Sequence, residues 1–121
     1  MGYWGCTSGT QPEEALAYPD KNLSFSRHIH PIFLSDCAAE EGCHRSAQPA
    51  AELDLETATP TFVGRSGLVV IPKAPDHSLL YQLLLENVGN TPRMPLQRGQ
   101  LPENKIRAIR NWIQEGANTQ N

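Results

Sequence analysis

Two cysteines, the second directly followed by a histidine, constrain this chain of 121 residues more than any other feature: Cys37, Cys43 and His44. Two thiols and an adjacent imidazole are the parts needed to tie a haem to a polypeptide. The thiols add across the vinyl groups, and the imidazole reaches the iron from the proximal side. The usual attachment spacing is C-x-x-C-H, whereas five residues separate the thiols here. By itself the motif is therefore incomplete.

Met94 supplies what it lacks. A haem iron in an electron carrier takes a second, distal ligand, and a soft thioether favours Fe(II) and raises the reduction potential. Apart from Met1, Met94 is the only methionine in the chain. It sits in Thr91-Pro92-Arg93-Met94-Pro95, where two prolines restrict the backbone. A core methionine normally occupies an apolar helical face, which this one does not.

A chain of this length fits one domain with one core. Ten prolines and nine glycines imply much irregular backbone and a thin core, so a large buried prosthetic group would supply the missing apolar contacts. The net charge of -3, with no basic run interleaved with aromatics, argues against nucleic acid as a partner. The longest apolar run, from Gly67 to Ile71, stops at Pro72 and is far short of a membrane span.

In chain order, residues 1–22 read as an irregular arm containing Gly2, Gly5, Gly9, Pro12 and Pro19, and 119–121 as a tail; the domain runs over 23–118. The third cysteine, Cys6, follows Gly5. A small residue before a cysteine near a mature N-terminus is the mark of a lipidated tether, against which stands a simple free thiol. A first helix is expected from the N-cap Ser24, with Phe25, Ile29, Ile32 and Phe33 on one stripe, Pro31 kinking it near His30, and Cys37 at its end. His28 and His30 are expected on the solvated side. Arg45 to Glu52 reads as a loop, and Leu53-Asp54-Leu55 as a short ordered segment. Gly64-Arg65-Ser66-Gly67 reads as a turn before the apolar run, which could line a pocket. A second helix is expected from Pro75, with Leu79, Leu80, Leu83 and Leu84 buried and Gly89 at its end. A third opens at Pro102-Glu103, buries Ile106, Ile109, Trp112 and Ile113, leaves Lys105, Arg107, Arg110 and Asn111 mostly outside, and stops at Gly116.

Taken together, these motifs resemble those of class I-type mono-haem cytochromes c, and most of all the planctomycete-type cytochrome c domains. The resemblance covers roughly residues 25–117. It rests on the helix leading to Cys37, Cys43-His44, Leu53-Asp54-Leu55, Val70-Ile71-Pro72, Ser78-Leu79-Leu80, Arg93-Met94-Pro95, and Ile109-Arg110-Asn111-Trp112-Ile113 with Gly116-Ala117. It implies an all-α cytochrome c fold: three main helices around one covalently bound haem c, preceded by a long irregular arm. Trp112 would pack where the terminal helices meet. By the same resemblance Cys37 and Cys43 form the thioethers, and His44 and Met94 ligate the iron. Arg65 or Arg93 would suit a haem propionate. The implied function is transfer of single electrons between redox protein partners, an oxidase or a dehydrogenase, by a monomer in the periplasm or at the cell surface, with a membrane tether through Cys6.

Other readings stay open at this point. Cys37 and Cys43 could give two thioethers, one thioether at Cys43, or a disulfide in a haem-free binding module. A displaceable Met94 would make a gas-sensing or ligand-binding module. A zinc site could draw on Cys37, Cys43, His44 and one of His28, His30 or His77, although the spacing is not that of a zinc knuckle and Met94 would have no role. No nucleophile, base and orienting group form a triad, and no glycine-rich phosphate loop is present, so the chain does not read as an enzyme.

Overall fold

A computed structural model describes residues 18–39, 43–65, 67–96 and 98–121. Cys6 and most of the expected arm lie outside the described residues, as do Glu40, Glu41, Gly42, Ser66 and Gln97. The first helix, α1, is composite: wide π turns over Phe25–Ile29, an α turn over His30–Ile32, and a further π turn over Phe33–Cys37. The Ser24 side chain caps it by accepting from the Arg27 amide at 3.1 Å. Pro31 has no N–H to give, and the helix continues through it because the flanking turns bond over five residues, His30 N to Phe25 O and Ala38 N to Phe33 O. The expected stripe is buried throughout: Phe25, Ile29, Ile32 and Phe33.

Among the described residues after α1 comes a 3₁₀ turn over Ala50–Glu52, and then a two-stranded antiparallel hairpin, β1 (Val63–Gly64) and β2 (Gly67–Leu68), with Val63 opposite Leu68 and Gly64 opposite Gly67. Gly64 is needed because a Cβ there would lie 3.0 Å from the Ala51 carbonyl oxygen and 3.3 Å from Leu53 Cβ. The hairpin can then lie directly on residues 51–53. A short 3₁₀ turn over Pro75–His77 precedes α2, Leu79–Leu85. The helix therefore starts later than Pro75. Ser78, fully buried, accepts from the Ile71 amide at 2.9 Å and donates to the Ala74 carbonyl at 2.9 Å, folding the turn back before α2 begins. α2 also ends at Glu86, before Gly89, which instead belongs to a turn bridged between Val88 and Thr91. The third helix, α3, is Glu103–Gln114 and stops at Gly116, whose φ of +119° favours glycine.

The all-α expectation is overturned. Of the described residues 38% are helical, in three helices and short 3₁₀ turns, and a two-stranded antiparallel sheet is present, so this is not a clear all-α cytochrome c fold. The physical reason lies in the long stretch between α1 and α2. Its prolines and glycines break helical bonding, and its apolar residues alternate or cluster briefly instead of recurring at helical spacing.

Trp112 anchors the core. Its ring lies 5.7 Å from that of Phe25, 6.1 Å from Phe33 and 5.6 Å from Phe62, joining α1, α3 and the segment before the hairpin. Its indole N–H donates to the Asn118 carbonyl at 2.9 Å. The last residues are tied to the start of α1: the Asn121 side chain accepts from the Phe25 amide and donates to the Leu23 carbonyl.

Candidate cofactor site

α1 ends on Cys37, and the backbone then returns to it. The His44 amide donates to the Cys37 carbonyl at 3.0 Å, which brings His44, and with it Cys43, back to the end of α1 despite the spacing of five residues. The Ala50 amide donates to the Cys43 carbonyl at 2.9 Å and the Leu55 amide to the His44 carbonyl at 2.8 Å, fixing the motif from its other side. Both thiols are free of disulfide.

The His44 ring is oriented by two carbonyls. Its Nδ1 lies 3.1 Å from Ala50 O and 3.0 Å from Leu53 O. Carbonyl oxygens only accept, so Nδ1 carries the proton and shares it between them, which leaves the lone pair on Nε2. An imidazole held in this way through Nδ1 is oriented as a metal ligand.

Met94 arrives from the far side of the fold. Its amide donates to the Leu83 carbonyl in α2 at 2.8 Å, and the preceding Arg93 amide donates to Asn87 Oδ1 at 2.8 Å. Cys37, Cys43, His44 and Met94 all line one cavity of about 210 Å³. Most of its wall is aliphatic, from Leu53, Leu55, Val69, Leu79, Leu80 and Leu83. Of the apolar run before Pro72, Val69 is the wall residue; Val70 is buried in the core.

The donor set fits a covalently held haem. Two thiols, an imidazole with Nε2 unprotonated and a thioether meet at a largely apolar cavity. Arg65 and Arg98, both exposed, lie at its edge. Arg65 is paired with Glu52 at 3.6 Å, with both side chains exposed. Arg93 is not part of the lining, but its Nη1 is buried and has no hydrogen-bond partner among the described residues. Burial pushes the Cys37 thiol up to about 12, helped by the carboxylate of Asp36 and by Cys43 and opposed by Lys105 and Arg98.

Other predicted residues lie elsewhere. His28 Nδ1 accepts from the Ser24 amide at 2.8 Å. His30 stacks on Phe25 with ring centres 5.2 Å apart and bonds through Nε2 to the Glu56 carbonyl at 2.8 Å. Both are half-buried rather than solvated, and neither lines the cavity. Among the described residues no group of three or more His, Cys, Asp or Glu could hold a metal ion.

The largest surprise is Lys105. Expected outside, it is buried, with Nζ 3.0 Å from Asp36 Oδ2, and Asp36 lines the cavity beside Cys37. A signal was present, since Lys105, Ile109 and Trp112 stand at i, i+4 and i+7 on the buried stripe of α3.

Residues 41–95 match the family model of planctomycete cytochrome C. The match covers a little under half of the chain, takes in Cys43, His44 and Met94, and begins after Cys37. No curated protein and no solved structure gives a match. The motifs and the family model lead to the same group: over residues 41–95 the chain is similar to planctomycete cytochrome C, a likeness that supports, at a coarse level, a c-type cytochrome electron carrier.

Proposed function

We propose that this chain is a mono-haem c-type cytochrome passing single electrons between redox protein partners outside the cytoplasm. Its haem is held through Cys37 and Cys43, with His44 and Met94 as axial ligands. The observation that carries this reading is the pair of carbonyls on His44 Nδ1, which reserves Nε2 for a metal in a cavity that also holds both thiols and the thioether.

Bound haem supplies an iron that can change its charge by one electron. The chain's residues do the rest. Cys37 and Cys43 would anchor the group, His44 and Met94 would ligate the iron, and the leucines of the wall would exclude water. With two ligands from the protein the iron would keep no site for a substrate, which favours a carrier over an enzyme. Arg65 and Arg98 suit carboxylates at the cavity edge, and the unpartnered Arg93 Nη1 suits one nearby. We place the protein in the periplasm or at the cell surface, as a monomer tethered through Cys6.

The test is production with a haem-maturation system, followed by the alkaline pyridine haemochrome spectrum and an intact mass under denaturing conditions. Haem should stay on the denatured chain, with a band position characteristic of two thioethers, and the ferrous spectrum should be unchanged by carbon monoxide. A mass equal to the bare chain, or two hydrogens lighter, overturns the proposal.

A further inference from the structure

The Asp36–Lys105 pair invites a question beyond ligation. An ion pair this well buried is costly to desolvate and is weak evidence of a gain in stability, because apolar residues of similar volume often serve as well. Its Nζ to Oδ2 distance is 3.0 Å, and the two side chains are 11% and 19% exposed. It joins the last turn of α1 to the first turns of α3, one residue from Cys37, and its carboxylate side forms part of the cavity wall.

Charges act on a redox centre according to distance and screening. Among the described residues the other charges at the cavity, Arg65 and Arg98, are exposed, so water and salt weaken their effect. Asp36 and Lys105 are not screened in this way. A lone buried carboxylate at the wall would favour the oxidised, more positive state of a bound group. A lone buried ammonium would favour the reduced state. Held together, the two largely cancel.

We infer that Asp36 and Lys105 form a charge-balanced positioning pair: each cancels the shift that the other alone would impose on the reduction potential of the bound group, and together they hold the end of α1, and so Cys37, against α3. This rests on the haem reading given above. Neither residue touches the iron; both act through the field at the cavity and through the placement of Cys37.

The experiment uses the haem-loaded full chain and four variants: Lys105→Met, which keeps the aliphatic stem, Asp36→Asn, the double variant, and Lys105→Arg. Denatured mass is read first, then the midpoint potential by spectroelectrochemistry at neutral pH, then urea unfolding. Lys105→Met should lower the potential and Asp36→Asn should raise it. The double variant should return near the parent value, and Lys105→Arg should stay there. A pair that only braces the helices would reduce stability in both single variants without moving the potential in opposite directions, and that result overturns the inference. If either single variant fails to fold, the double variant and Lys105→Arg decide: a potential far from the parent in both overturns it as well. Absence of haem on the unaltered chain, seen in the mass before any potential is measured, overturns the functional reading and this inference with it. Attached haem with shifts of the same sign overturns only the inference.

Discussion

The two sides of this molecule are built differently. Where α1 meets α3, Phe25, Phe33, Phe62 and Trp112 pack ring against ring around fully buried Ile29, Ile109 and Ile113. This side is completed by its own side chains. On the other side, residues 43–61 and 88–96 are mostly irregular and held by individual hydrogen bonds, and Leu53, Leu55, Met94 and Leu96 border the cavity. A Leu that faces a cavity lacks partner atoms on that side and forfeits part of its dispersion energy. One half is a scaffold built on its own aromatic rings, and the other forms the lining of the cavity.

The comparison can be broken most directly at Trp112. Trp112→Ala should cost about 3 to 5 kcal/mol, as for other large aromatic truncations in a core. Urea unfolding should show that loss with or without haem; a loss under about 1 kcal/mol would mean that the aromatic cluster is not the scaffold.

The cavity side answers to pH. In the haem-free chain the Cys37 thiol is pushed up to about 12 from an ordinary 9.0, because burial disfavours the thiolate. Between these values the unfolded chain has lost this proton and the folded chain keeps it. The contribution to stability is therefore fully present below 9.0 and is lost as pH rises through about 12. Alkylation followed by peptide mapping should show Cys37 reacting far more slowly at mildly alkaline pH in the folded chain than in urea. Equal rates would mean that the cavity wall admits water at this thiol.

Leu83 gives the finest discrimination. It is buried, lines the cavity, and its own carbonyl accepts from the Met94 amide. In the haem-free chain Leu83→Ala should cost less than the 2 to 5 kcal/mol usual for a core leucine, about 1 to 2 kcal/mol, because one side is already open. With haem bound the cost should rise into the usual range. Paired unfolding curves check this, and an equal cost in the two states would remove the contrast between the two sides.

How much of this was legible in sequence differs along the chain. The stripe of α1, the face of α3 around Trp112 and the stop at Gly116 follow from short-range periodicity and capping, and all three are present in the structure. The later start of α2 was not legible. It depends on a buried Ser78 hydroxyl finding Ile71 and Ala74, a contact that no local pattern announces. The hairpin was visible only as a turn, since Gly64 is required by the approach of Ala51 and Leu53 and not by its own neighbours in the chain. Residue type, by contrast, misplaced charge. Lys105 was assigned outside on residue type, although its position on the buried stripe allowed it inside once Asp36 faced it.

By itself the sequence determined the chemical parts: two thiols, an adjacent imidazole, one distal thioether and three amphipathic stretches, because residue type and spacing are local properties. Tertiary structure decided that these parts share one cavity. It also selected the Nδ1-protonated form of His44, bonded the His44 amide back to the Cys37 carbonyl, and set a buried ion pair in the wall. Each of these depends on groups far apart in the chain, and only packing brings a carbonyl, a carboxylate or a thioether within bonding distance of its partner.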